Sequence, residues 1–302
     1  MSAKEYKYLV GGIVYKTSIE FPEFVETDLP HTTTVEYGNV PEEIVNNFQA
    51  RALVQTNDKD EVLFTMPNLA RFLIEGTQKV TIQLIDEQRK SDAEKYILTF
   101  VLGLISYKMK MYPLHGGGIV HNNEAYLFTG LSGAGKSTTI AALKEEGFTV
   151  LGDDIANLFV EDKEVYIHPC FPRFKLWEES LDLLNLKNTN EYQLKSTMNK
   201  YLVPVGENYS DKPIKVKRIY HLVEDREGNT SFEGKNGQEK LQLFKANSYK
   251  PWAVKLFGLQ KDHFIMMNQM LPKVEWFEFK RPKDKSSFKE MKDILIDHIK
   301  NG

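Results

Sequence analysis

Cysteine is almost absent from this chain: one residue, Cys170, stands among 302. A single thiol closes no intrachain disulfide, and with His168 it offers no trustworthy metal-ligand spacing, so the simplest setting is a reducing cytoplasm. Long hydrophobic runs are missing too. The longest, Tyr96 to Tyr107, spans 12 residues and is interrupted by Thr99, Gly103 and Ser106. A membrane span needs about 20 residues, so this run reads as a buried helix. The opening Met1 to Lys7 leads into a strand-like segment rather than an apolar signal region. Charge of one sign is also lacking. The net charge of -3 gives no general attraction to nucleic acid or to an anionic membrane, and neither is expected as a partner.

Against these absences, 41% of residues are hydrophobic and 27% charged, enough apolar material for a substantial core. The most informative stretch is Gly130-Leu131-Ser132-Gly133-Ala134-Gly135-Lys136-Ser137, which reads GxxxxGKS. A strand-length apolar run, Ala125 to Thr129, precedes it, and helical residues Ser137 to Glu146 follow until Gly147. Gly130, Gly133 and Gly135 permit a tight turn. The N–H groups of Ser132, Ala134, Lys136, Ser137 and Thr138 can then surround a polyphosphate at a helix N-terminus. Lys136 reaches the terminal phosphates, and Ser137 offers its hydroxyl to magnesium. ATP and Mg2+ are therefore the expected cofactors.

Downstream, Phe148 to Leu151 reads as a short strand that ends in Gly152-Asp153-Asp154. In open α/β sheets ligands bind at the carboxyl edge of strands, where a phosphate loop also emerges. We read Asp153 as a base for an attacking hydroxyl and Asp154 as the magnesium partner, although adjacency alone does not orient two carboxylates. Upstream, Leu114-His115-Gly116-Gly117-Gly118 enters a hairpin through His121-Asn122-Asn123-Glu124. His115 is a candidate to donate to a phosphate oxygen or to exchange protons with the acceptor. The three glycines behind it mark backbone that something approaches closely, or that adopts positive φ. Arg173 and Lys175 alternate on an extended segment, so both can face one side, and the Arg173 guanidinium can grip phosphate oxygens. Lys200 is a weaker candidate in a polar stretch.

The order LHGGGIV, GLSGAGKS, VLGDD resembles the HPr kinase/phosphorylase superfamily, whose nucleotide core is related to ATP-dependent phosphoenolpyruvate carboxykinase. Pro169 to Trp177, Lys200 to Pro204, Ile214 to Leu222 and Phe64 to Leu73 are similar to the HPr-kinase-related subgroup, which includes lasso-peptide serine kinases. The resemblance implies a P-loop core and an ATP-dependent phosphotransfer to a serine hydroxyl of a peptide or small protein. Its residue roles fall on Lys136, Ser137, Asp153, Asp154 and His115. The glycine-rich second signature of true HPr kinases has no counterpart here, so the resemblance does not carry over phosphorylase activity or HPr as acceptor.

The expected fold is α/β, α+β overall, with a β-rich N-terminal lobe at 1–90 and a P-loop kinase domain with a helical C-terminal region at 91–302. The lobe reads as strands (Tyr8 to Tyr15, Thr32 to Tyr37, Arg51 to Gln55, Val62 to Phe64, Lys79 to Leu84) around one helix over Asn68 to Glu75. It could cover the core, recognise an acceptor or build a homo-oligomer. A hairpin is expected over Glu224 to Gln238, a late strand over Val274 to Phe279, and a basic turn over Lys280 to Lys285. Two other classes use the same loop: a small-molecule or carboxykinase-like enzyme, and a non-catalytic nucleotide sensor.

Overall fold

Gly11 and Gly12 both sit at positive φ, 60° and 79°, a combination glycine adopts without a Cβ penalty. They fold the expected single strand Tyr8 to Tyr15 into a hairpin of β1 (Tyr6–Val10) and β2 (Ile13–Thr17). The computed structural model describes residues 4–22, 24–44, 48–51, 53–186, 193–195, 198–225, 229–282 and 288–302. It divides into two units, Met1–Met111 with Trp252–Gln260, and Tyr112–Pro251 with Lys261–Gly302. The fold is mixed α/β, and among the described residues no helix is long and apolar enough to cross a membrane.

The first unit continues with β3 (Thr33–Tyr37), β4 (Phe48–Arg51), β5 (Val54–Thr56), β6 (Glu61–Met66), β7 (Ala70–Glu75) and β8 (Lys79–Leu84). Their order in one sheet is β1-β2-β3-β8-β7-β6-β5-β4. The helix expected over Asn68 to Glu75 is instead strand β7. Asn68, at φ 57°, closes the turn after β6, and within β7 Ala70, Phe72 and Ile74 are buried while Arg71, Leu73 and Glu75 are not, a period of two. A turn of 3-10 helix (Glu87–Arg89), α1 (Lys90–Tyr96), a π-helical turn (Ile97–Val101) and α2 (Leu102–Lys108) follow. Phe100 stacks on Phe64 at 3.9 Å between ring centroids, and Tyr96 lies against Phe64 and Phe72. These ring contacts make the helical run part of the sheet's own core. The first unit therefore extends to Met111, past the expected boundary at residue 90.

The second unit is built from β9 (Tyr112–His121), β10 (Glu124–Gly130), α3 (Lys136–Glu145), β11 (Thr149–Gly152), β12 (Ile155–Glu161) and β13 (Glu164–His168). Next come β14 (Arg173–Trp177), α4 (Glu178–Leu183), β15 (Gln193–Lys195), β16 (Met198–Pro204), β17 (Ile214–Asp225), β18 (Ser231–Lys235) and α5 (Gly237–Asn247). After α6 (Trp252–Leu256) of the first unit, the chain adds α7 (Gln260–Met270), β19 (Glu275–Pro282) and α8 (Phe288–Asn301). The main sheet runs β10-β9-β12-β13-β17-β19-β18, and β10 also pairs with β17, which closes a ring; β14, β16 and β15 form a separate small sheet. Asn122 and Asn123, at φ 50° and 60°, make the expected tight turn between β9 and β10. The hairpin expected over Glu224 to Gln238 does not form: β18 pairs with β19, which lies between it and β17. Glu227 and Gly228 of its turn signal lie outside the described residues.

Alternation along β10 explains why both faces of this sheet are covered. Tyr126 and Phe128 enter one core with Ile140, Leu143, Met291, Leu295 and Ile299 of α3 and α8. Ala125 and Leu127 enter the other with Phe244, Met267 and Met270 of α5 and α7. Strand direction then positions the site. β10, β17 and β19 are mutually parallel, and β10 and β11 both run antiparallel to β9. The carboxyl ends of β11, β10, β17 and β19 thus share one edge, at which β9 begins.

Candidate functional site

At that edge β10 ends in Gly130, at φ 139°, where an added Cβ would meet the Leu222 carbonyl of β17 at 2.7 Å. Gly133 and Gly135 take φ 88° and 91°, and Gly135 is the residue from which α3 starts. The octet is thus a strand–loop–helix turn whose three glycines all hold positive φ. Lys136 is only 6% exposed, and its ammonium donates to the Gly130 carbonyl at 2.9 Å and the Leu131 carbonyl at 3.0 Å. Burial pulls its pKa down, and Asp153 and Asp154 oppose that pull. Ser132, Gly133, Gly135, Lys136, Ser137 and Thr138 line a cavity of about 520 Å³. The Thr138 hydroxyl also hydrogen-bonds Ser180 of α4 at 2.8 Å.

Asp153 and Asp154 line the same cavity. Gly152, at φ 123°, leaves no room for a side chain against Phe171, and Asp154 takes φ 76°, so the strand has ended before the pair and both carboxylates can turn inward. Asp153 is 1% exposed. Its Oδ2 accepts the Lys175 backbone N–H at 2.9 Å, while its Oδ1 is buried without a hydrogen-bond partner. The Lys175 ammonium donates to Asp154 Oδ2 at 2.7 Å. His115 Nδ1 donates to the Asp154 backbone carbonyl at 3.1 Å and lies 3.8 Å from its Oδ1. Burial would raise the Asp154 pKa, but Lys175 and His115 outweigh it and hold the carboxyl at about 2. For His115 burial wins over Asp154, so its pKa falls below the usual imidazole value.

The glycines behind His115 admit close approach, and what approaches is the chain itself. None has positive φ. An added Cβ would meet the Phe128 carbonyl at 2.3 Å from Gly116, and the Gly152 carbonyl at 2.3 Å and Asp153 Cα at 2.8 Å from Gly117. The run lets β10 and the acidic turn flank β9 tightly, which brings Asp153 beside the phosphate-type loop.

Of the predicted basic residues, Lys175 and Lys200 line the cavity and Arg173 is not among its lining residues. Arg173 opens β14 opposite Pro204. Lys200 stands across from Trp177, with its ammonium 5.0 Å above the indole ring. Burial lowers its pKa, Lys175 adds to the effect, and the two aspartates oppose it. Ser196 and Thr197 of its segment lie outside the described residues. Cys170 is buried, which raises its thiol to about 12, and its Sγ donates to the His168 carbonyl at 3.6 Å.

Sequence reading missed Arg281. Lys280 to Pro282 close β19 rather than forming a turn, and Lys283 to Lys285 lie outside the described residues. The Arg281 Nε donates to the Ala134 carbonyl at 2.7 Å, and its NH2 lies 3.9 Å from Glu224 Oε2. A Cβ on Gly135 would meet this guanidinium at 3.2 Å. No local signal marks the residue, since its place depends on the β17–β19 register that sets Arg281 opposite Glu224. Among the described residues no group of three or more His, Cys, Asp or Glu forms a metal cage.

No protein-family model matches the chain, and no curated protein matches it in sequence. Among solved structures the chain is similar to the Hpr(Ser) kinase/phosphatase from Coxiella burnetii, at 12% identity and a TM-score of 0.35, over 62% of this chain and 90% of that one. A likeness at this level carries no weight for the chemistry, which rests on the residues themselves.

Proposed function

We propose that the protein is an ATP-dependent kinase that transfers the γ-phosphate to a hydroxyl, the serine of a peptide or small protein. The observation that carries this reading is Asp153, which lines the same cavity as Lys136 and Ser137 and keeps one buried carboxylate oxygen without a hydrogen-bond partner. A buried polar atom without a partner costs about 1–3 kcal/mol or more when charged, a cost that a substrate or a cation at that atom removes.

The donor set suits magnesium, a hard ion that takes one or two carboxylates, a hydroxyl and phosphate oxygens rather than a protein cage. Ser137 and Asp154 would hold it, and when bound it would offset the charge of the phosphate groups. Asp154 suits an anionic anchor because, with its carboxyl at about 2, it stays ionised at neutral pH and is a poor proton acceptor. Asp153 suits the base, since its Oδ2 is held by the Lys175 N–H while Oδ1 is left to receive the hydroxyl proton. Lys136 and Lys175 supply positive charge for the transferred group, and His115, kept neutral by burial and held through Nδ1, orients the acidic pair.

The test is incubation with magnesium-ATP and a panel of serine-containing peptides and small proteins, HPr included, read by intact mass. A one-phosphate gain on an acceptor is expected, slowed roughly 100-fold or more by Asp153→Asn. Equal gain with that variant would overturn the role of Asp153. Tight ATP binding with no gain on any acceptor would overturn the peptide or protein kinase in favour of a small-molecule enzyme or a nucleotide sensor.

A further inference from the structure

Two flanks of the phosphate-type loop differ in character. Strand order across the shared edge is β11-β9-β10-β17-β19, so the acidic pair after β11 and Arg281 at the end of β19 stand on opposite sides of the loop that leaves β10. The acidic flank holds the groups suited to chemistry. The other holds one guanidinium set against Gly135, where α3 begins, with Glu224 behind it; both line the cavity.

We infer that Arg281, and not Arg173, is the arginine that grips the nucleotide's polyphosphate, on the part cradled by the loop and shared by ATP and ADP. The inference rests on the nucleotide-site reading above. Arg281 Nε donates to the Ala134 carbonyl at 2.7 Å and its NH1 to the Pro282 carbonyl at 3.1 Å, which hold the guanidinium plane against the loop and leave NH2 as the donor for a ligand in the cavity that Arg281 lines. A guanidinium nitrogen presented in a fixed plane makes short, charge-assisted hydrogen bonds to phosphate oxygens, and a positive charge at a helix N-terminus adds to the field that already favours anions there. Glu224, 3.9 Å from NH2, competes for the same donor. Its carboxylate is a counter-ion that phosphate must displace, so it tunes affinity downward.

Binding of magnesium-ATP and magnesium-ADP, measured by calorimetry for the wild type, Arg281→Gln, Glu224→Gln and the double variant, tests this. The expected result is a loss of roughly ten- to a hundredfold for Arg281→Gln, equal for ATP and ADP. Glu224→Gln should tighten both nucleotides, and that gain should vanish in the Arg281→Gln background. Unchanged affinity in Arg281→Gln overturns the inference and leaves Arg281 as a support for the Ala134 carbonyl. So does a loss matched by a fall in the melting temperature of the nucleotide-free protein, with no gain from Glu224→Gln. If the wild type binds neither nucleotide while the protein is folded, the nucleotide reading itself is sunk. Arg173→Gln serves as the contrast and should bind as the wild type does.

Discussion

Asp154 keeps its charge in a buried setting because the Lys175 ammonium lies 2.7 Å from one oxygen, and the consequence is a measurable link between protonation and folding. Its folded pKa of about 2 lies below the ordinary 3.8, so the unfolded chain binds the proton more readily than the folded one. The stabilisation is therefore complete above about pH 4 and is lost as pH falls towards 2, and it amounts to about 2 kcal/mol. Denaturant titrations at pH 5 and pH 2.5 should show this slope in the wild type and a flatter one in Asp154→Asn. Parallel slopes would mean that the Lys175 contact does not couple to folding. Much at this scale was legible in sequence. The octet and the Asp pair are contiguous signals, and contiguous residues need only local backbone geometry to come together. Arg281 was missed, because its reach to the loop depends on a pairing register between strands far apart in the chain, and it stands 147 positions after Ala134, whose carbonyl it binds.

Among the elements, β9 carries an unusual burden: it is the strand on which both β10 and β11 are aligned. Gly117→Ala would drive a methyl into the Gly152 carbonyl and Asp153 Cα, both backbone atoms that cannot swing aside. Overpacking of this kind costs about 1–3 kcal/mol. The expected outcome is a lowered melting temperature and, on the proposed function, loss of phosphotransfer with nucleotide binding retained, because the loop leaves the neighbouring strand. Retained transfer would show that the acidic turn tolerates displacement. Helix α3 is held at both ends by the last part of the chain, through Arg281 on Ala134 and through the ion pair of Lys292 with Glu146. The β9–β10 hairpin could be read from its Asn-Asn turn, whereas β7 was mistaken for a helix. The segment Asn68 to Glu75 has apolar residues at both spacings, and only pairing with β6 and β8 decides between them.

For the molecule as a whole, the informative fact is that Trp252–Gln260 belongs with the first unit while the chain on either side belongs with the second. In that unit Trp252 lies 6.0 Å from the Phe100 ring, and Ala253 and Val254 are buried. A fragment of 112–302 would thus expose an apolar stretch that has lost its core, and we expect it to bind a hydrophobic dye and to aggregate. A monomeric fragment without dye binding would show that α6 refolds onto the second unit. Sequence could not foresee this crossing, since nothing in a short helix such as Trp252–Leu256 states which core it will join. The same crossing bears on inheritance. A recombination event that replaced the codons for the first 111 residues would strand a piece of the old first unit inside the gene for the second, so the two halves of this protein can be exchanged only together or by a double exchange that also replaces α6.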